Sequence, residues 1–104
     1  MESLEEIGAE KLRSLLERKK SRDFYDVWRL LQFRPNLEKL GELFQKKCEY
    51  RKIEFHDSEQ FFPEDLLEIL QGYWQREIGR LVYPVPDLQE VVRDLRIGLR
   101  FLNG

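Results

Sequence analysis

Apolar residues recur along this chain at intervals of three and four, the spacing that lines up one face of an α-helix. Leu4, Ile7, Leu12, Leu15 and Leu16 make the first stripe. Ser3 with Glu6 three residues on has the form of a capping box, so a first helix is predicted from there to about Lys19. A second is predicted over residues 23–33, where Phe24, Val27, Trp28 and Leu31 share a face with Leu30 and Phe33 beside it. Ser21 or Asp23 serves as its cap, since either side chain accepts from a free backbone N–H. Arg34-Pro35-Asn36 breaks the chain, because proline cannot sit inside a helix and asparagine suits the next N-cap. A third helix is predicted over 37–51 from Leu37, Leu40, Phe44 and Cys48, with Leu43 alongside. Ile53 and Phe55 then alternate with Lys52, Glu54 and His56. A lone short strand has no partner to pair with, so an extended loop is predicted around residues 52–62. Pro63 suits a first helical turn, with Glu64 and Asp65 at the positive end of the dipole. Leu66, Leu67, Leu70, Trp74, Ile78 and Leu81 continue the stripe across Gly72, where a bend or break is expected. Tyr83-Pro84-Val85-Pro86 is not helical. Asp87 with Glu90 repeats the capping pattern, and Leu88, Val91, Val92, Leu95, Leu99 and Leu102 form the last stripe, ending near Asn103-Gly104. The expected fold class is an all-α bundle of about five helices.

Composition narrows the picture. At 104 residues and 12.7 kDa the chain has the size of one domain, and a single helical domain over 1–104 is expected. Charged residues are 37%, above the roughly 25% of an average soluble domain, but 41% hydrophobic content is too high for a disordered tail. No run approaches a membrane span and no apolar segment follows a basic start, so a cytoplasmic location is expected. One cysteine excludes a disulfide scaffold, and one histidine leaves almost no material for Cys/His zinc sites or a Ser-His-Asp triad. Net charge is −2, divided into +3 over residues 1–52 and −5 over 53–104. The basic bias attracts phosphate, and RNA contact through Arg18–Arg22 and Lys46–Lys52 is a secondary expectation that the net negative charge opposes.

Phosphate loops of the GxxxxGK[ST] and GxGxxG type, HExxH and EF-hand loops are all absent from the sequence. Cys48 lies on an apolar stripe and reads as a buried, inert thiol; His56 beside Asp57 reads as a solvated loop residue. Phe24, Trp28, Phe33, Phe44 and Trp74 sit at helical spacing and read as core, whereas Phe61-Phe62 and Tyr73 read as a contact surface. Gly72, Gly79 and Gly98 are read as small-residue contacts within helices. The segment from Ala9 to Leu31 concentrates the candidate chemistry. Lys11 flanks the stripe at Leu12 and Leu15, and Asp23 and Asp26, three apart, share one helix face. Folding the second helix back on the first brings Lys11 and Asp26 to a common edge, with Arg18 and Arg22 at the turn. Such a cluster offers cations to a phosphate and a carboxylate to a metal or a hydroxyl proton. It equally fits Asp23 as a cap with Arg18, Arg22 and Asp26 in helix-end ion pairs.

Ala9-Glu10-Lys11-Leu12-Arg13-Ser14-Leu15 and Arg18-Lys19-Lys20-Ser21-Arg22-Asp23-Phe24-Tyr25-Asp26-Val27 resemble the C-terminal half of the AbiEii/AbiGii-type nucleotidyltransferases, the abortive-infection or type IV toxins. The likeness is sharp over residues 6–31; Trp74 and the proline-containing break before Val91 extend it diffusely. It implies a two-part enzyme whose N-terminal core holds Mg²⁺ and a nucleoside triphosphate with Gly-Ser and Asp-x-Asp motifs. The helical part adds a lysine and an aspartate, here Lys11 and Asp26 with Asp23 as the alternative, and Arg18 and Arg22 as phosphate contacts. The lysine contacts the triphosphate; the aspartate orients it or acts near the acceptor hydroxyl. The 104 residues contain no Asp-x-Asp and no Gly-Ser pair. The chain is therefore expected to bind no metal or nucleotide cofactor unaided and to be inactive alone. Its expected partner is a catalytic core or separate subunit, with an antitoxin and a second copy of the chain, joined through an exposed apolar face, as further partners. The alternative function is a stand-alone helical module that binds a core subunit or an antitoxin.

Overall fold

A computed structural model describes residues 3–103; Gly104, where the last stripe was expected to end, lies outside them. The helices are α1 (Leu4–Glu17), α2 (Ser21–Gln32), α3 (Leu37–Tyr50), α4 (Leu66–Gly79) and α5 (Leu88–Gly98). Two 3-10 turns, Ser58–Phe61 and Arg100–Asn103, complete the elements, and no strand occurs among the described residues. The all-α expectation holds. The radius of gyration, 13.3 Å, matches the roughly 13 Å of a compact chain of this length. α2 is the central element, packing on α1, α4 and α5, while α1 also lies along α3.

The stripes meet in one core. Leu12 and Leu15 of α1, Phe24 and Val27 of α2, Leu40 and Phe44 of α3, Leu66, Leu70 and Ile78 of α4, and Val91 and Leu95 of α5 are all buried. Two indoles, Trp28 partly buried and Trp74 buried, are tied by hydrogen bonds. Trp28 Nε1 donates to Asp94 Oδ2 at 3.1 Å, and Trp74 Nε1 donates to the Pro86 carbonyl at 2.8 Å. At the opposite end of α1, Gly8 lets three helices approach closely: a Cβ there would meet Leu30 and Leu40 methyls at 3.0 Å. Gly98 plays the same part against Leu31, also at 3.0 Å, and Gly79 would only touch Val85 at 3.6 Å. Cys48 is buried, and burial pushes its thiol pKa up, as expected of an inert thiol. His56 is exposed on the loop, as read.

Several expectations change. The loop at 52–62 includes the 3-10 turn, which Asp57 caps by accepting from Glu59 N–H at 3.0 Å while Gln60 reaches back to the backbone. That turn folds Phe61 and Phe62 inward: they are buried, not a contact surface, and Phe61 packs on Phe44 and Phe55. Phe33 moves the other way. It is 66% exposed because α2 ends at Gln32, one residue before it. The α4 stripe narrows to Leu66, Leu70, Trp74 and Ile78, every fourth residue; Leu67 and Leu81 are exposed. Ile7 and Leu37, both assigned to stripes, are exposed in the first turns of α1 and α3. α4 passes through Gly72 unbroken, and no atom outside the helix lies within 4 Å of a Cβ placed there, so Gly72 makes no small-residue contact. α2 starts at Ser21, two residues early, and neither Ser21 nor Asp23 caps it. The Asp87 side chain makes no capping bond on α5 either. Ser3 and Asn36 do cap, accepting from Glu6 N–H at 3.1 Å and Lys39 N–H at 3.0 Å.

Candidate functional site

α1 and α2 form an antiparallel pair: Gly8 faces Leu30, Lys11 faces Asp26, and Arg18 faces Asp23. The turn between them is three residues, Arg18-Lys19-Lys20. α1 stops where Arg18 takes an extended backbone, φ −151° and ψ 144°. The Lys19 ammonium then donates to the Leu15 carbonyl at 2.6 Å and to the Leu16 carbonyl at 3.4 Å, satisfying oxygens that the helix end leaves free. Burial in that position lowers the Lys19 pKa. The spacing had marked this stretch as a basic run without showing that Lys19 is committed to the end of α1.

The short turn sets the register of the site. Lys11 lies six residues before Glu17 and Asp26 five residues after Ser21. At 1.5 Å per residue both stand about 8–9 Å from the turn, so they meet at the same level. Lys11 Nζ is 3.0 Å from Asp26 Oδ2 and 4.0 Å from Asp23 Oδ1. Arg18 Nε stands 3.6 Å from Asp23 Oδ2, and Arg22 Nε 3.8 Å from Asp26 Oδ2. All five residues singled out from the sequence therefore come together in one cluster of three cations and two carboxylates.

Exposure sorts them. The Arg18 and Arg22 side chains are 61% and 66% exposed and Lys11 35%, whereas Asp26 is 26% and Asp23 only 10% exposed. The cations thus form the outer layer and the carboxylates the inner one. Asp26 Oδ2 already serves both Lys11 and Arg22. Asp23 Oδ2 is buried without a hydrogen bond, since Arg18 at 3.6 Å is beyond hydrogen-bond range. The cluster can hold an anion against its outer cations. It does not suit a divalent metal: both carboxylates face cations, and among the described residues no three His, Cys, Asp or Glu side chains converge.

The second basic segment lies elsewhere. Lys46, Lys47, Tyr50 and Arg51 line a cleft of about 420 Å³ with Glu10, Arg13 and Leu43. Much of its charge is internally paired: Lys47 with Glu10 at 3.2 Å, Arg51 with Glu17 at 3.6 Å, and Arg13 with both Glu10 and Glu17. The Arg13 hydrogen bond, ahead of Lys47, holds the Glu10 carboxyl below its ordinary pKa.

The family described as nucleotidyl transferase AbiEii toxin, type IV TA system, matches residues 1–95. No curated protein and no solved structure matches the chain.

Proposed function

Because this chain belongs to the AbiEii family of type IV toxin–antitoxin nucleotidyl transferases, we propose that it supplies the helical, substrate-side wall of a nucleotidyl-transfer site. The observation that carries this reading is the Lys11–Asp26 pair, 3.0 Å apart at a solvent-facing edge with Arg18 and Arg22 beside it. Lys11 presents a fixed cation to the triphosphate and offsets negative charge that builds up as the nucleotidyl group moves. Asp26 is a positioning residue that aims Lys11. Asp23 is too enclosed to reach an acceptor hydroxyl and serves as the inner anchor for Arg18 and Lys11.

This set of side chains does not fit Mg²⁺, so the metal and its carboxylates belong to a core that carries the Gly-Ser and Asp-x-Asp motifs missing from these 104 residues. The chain alone is then inactive. The test is incubation with each labelled nucleoside triphosphate, Mg²⁺ and tRNA or protein acceptors, with and without such a core. Expected is no transfer by the chain alone and Lys11-dependent transfer with the core. Transfer by the chain alone that Lys11→Ala abolishes overturns the inactivity, and transfer with the core that ignores Lys11→Ala overturns the role of Lys11. A second reading, a helical module that binds a core subunit or antitoxin, is favoured by the exposure of Phe33 (66%) and Ile97 (57%). In that case the chain binds its partner with an affinity that Phe33→Ser lowers and Lys11→Ala leaves alone.

A further inference from the structure

Arg22 belongs to two neighbourhoods. On one side it pairs with Asp26. On the other it lines an open cleft of about 450 Å³ with Arg76 and Glu77 from the last turn of α4 and Arg80 and Leu81 just after it. Arg80, the residue after α4, keeps a helical backbone at φ −75° and ψ −20°, so its side chain and that of Arg76, one turn earlier, leave the same side. Cations there favour the helix dipole, which accounts for their place at the end of α4. It does not account for their convergence with a third guanidinium brought in by the start of α2. Among the described residues, neither Arg76 nor Arg80 has a carboxylate within 4.0 Å. Arg76 is instead held over the Tyr73 ring, 5.4 Å from its centroid. Three permanent positive charges face one shared space, with Glu77 the single opposing charge at its wall.

We propose that Arg22, Arg76 and Arg80 form a phosphate-binding subsite continuous with the Lys11–Asp26 cluster. Guanidinium groups present paired N–H donors that match phosphate oxygens, and a phosphoryl group entering the cleft relieves the mutual repulsion of the three. Arg22 bridges the two halves, because its Nε is 3.8 Å from the Asp26 oxygen that also holds Lys11. A chain of phosphates laid from the cleft toward Lys11 meets a cation at each end. The shared chemistry is phosphate, supplied either by a free nucleoside triphosphate or by the backbone of a nucleic-acid acceptor; that it serves nucleotidyl transfer rests on the function proposed above.

The experiment is calorimetric titration of the chain with inorganic triphosphate and, separately, with a short single-stranded RNA. Arg76→Gln/Arg80→Gln is expected to weaken binding about tenfold or more, as loss of charge-assisted hydrogen bonds does. Arg100→Gln, which removes an exposed cation from the C-terminal 3-10 turn, leaves the affinity unchanged. Both arginines are exposed, and circular dichroism checks that the double variant keeps its helices. Loss confined to triphosphate identifies the free nucleotide as the source of phosphate, and loss confined to RNA identifies the backbone. No binding of either probe, or binding that ignores the double substitution, overturns the subsite. If Arg76- and Arg80-dependent binding persists while Lys11-dependent transfer with a core fails, only the transfer reading falls.

Discussion

Lys11 makes a 3.0 Å ion pair and yet keeps a third of its side chain in water. Partly exposed pairs of this kind contribute about 1 kcal/mol or less, because solvent already screens them. Lys11→Met preserves the aliphatic stem and removes only the charge. It is therefore expected to lower stability by about 1 kcal/mol at most in urea unfolding. A loss of several kcal/mol would make Lys11 a structural residue first. Ser21 presents the opposite case. Its Oγ is buried with no hydrogen-bond partner, so the hydroxyl is desolvated with nothing in return. Ser21→Ala is expected to raise stability by about 1 kcal/mol, and a lowered unfolding midpoint would contradict that.

Helices were legible in the sequence because burial here follows the 3.6-residue period: Leu66, Leu70, Trp74 and Ile78 lie where the stripe put them. Their ends were less legible, since an end is decided by backbone geometry as much as by residue type. Ser21 and Asp23 are good capping residues, but the extended backbone that a cap needs falls on Lys20, at φ −106° and ψ 137°. That shift turns Asp23 from a cap into the buried floor of the site. The meeting of Lys11 with Asp26 was legible because a short turn leaves one register for two antiparallel helices. Arg76 and Arg80 were not, because nothing in the spacing shows which distant helix passes the start of α2. Gly72 sets the prediction at this scale. It is exposed in the interior of α4 with open space where a Cβ would go. Gly72→Ala is expected to raise the thermal midpoint, with a gain of about 1 kcal/mol from helix propensity. An unchanged or lowered midpoint would mean that α4 needs the glycine for some other reason.

At the scale of the molecule, acid acts on the seam between α1 and α3. The Glu5 carboxylate accepts from Asn36 N–H at 2.9 Å, which holds its pKa below the ordinary 4.5, and Glu10 is lowered by Arg13 and Lys47. A carboxyl lowered by folding adds stability that is complete above its unfolded pKa and lost as pH falls through the folded value. Thermal midpoints should therefore drop below about pH 4.5, and Glu5→Gln/Glu10→Gln should drop less steeply. Equal slopes would remove these two groups from the acid response. The outside of the molecule carries its own expectation. With Phe33 and Ile97 more than half exposed, the chain should self-associate at high concentration, and Phe33→Ser should reduce this. Light scattering that reports a monomer throughout would count against it. No described helix is long and apolar enough to cross a membrane.

The two indole hydrogen bonds carry one more consequence. Trp28 reaches Asp94 within α5, and Trp74 reaches Pro86 just before it. These are the only two tryptophans in the chain, and both spend their N–H on the same late segment. The intrinsic ultraviolet emission of the protein is therefore a gauge of whether the final helix is seated, and any event that lifts α5 registers in both fluorophores at once.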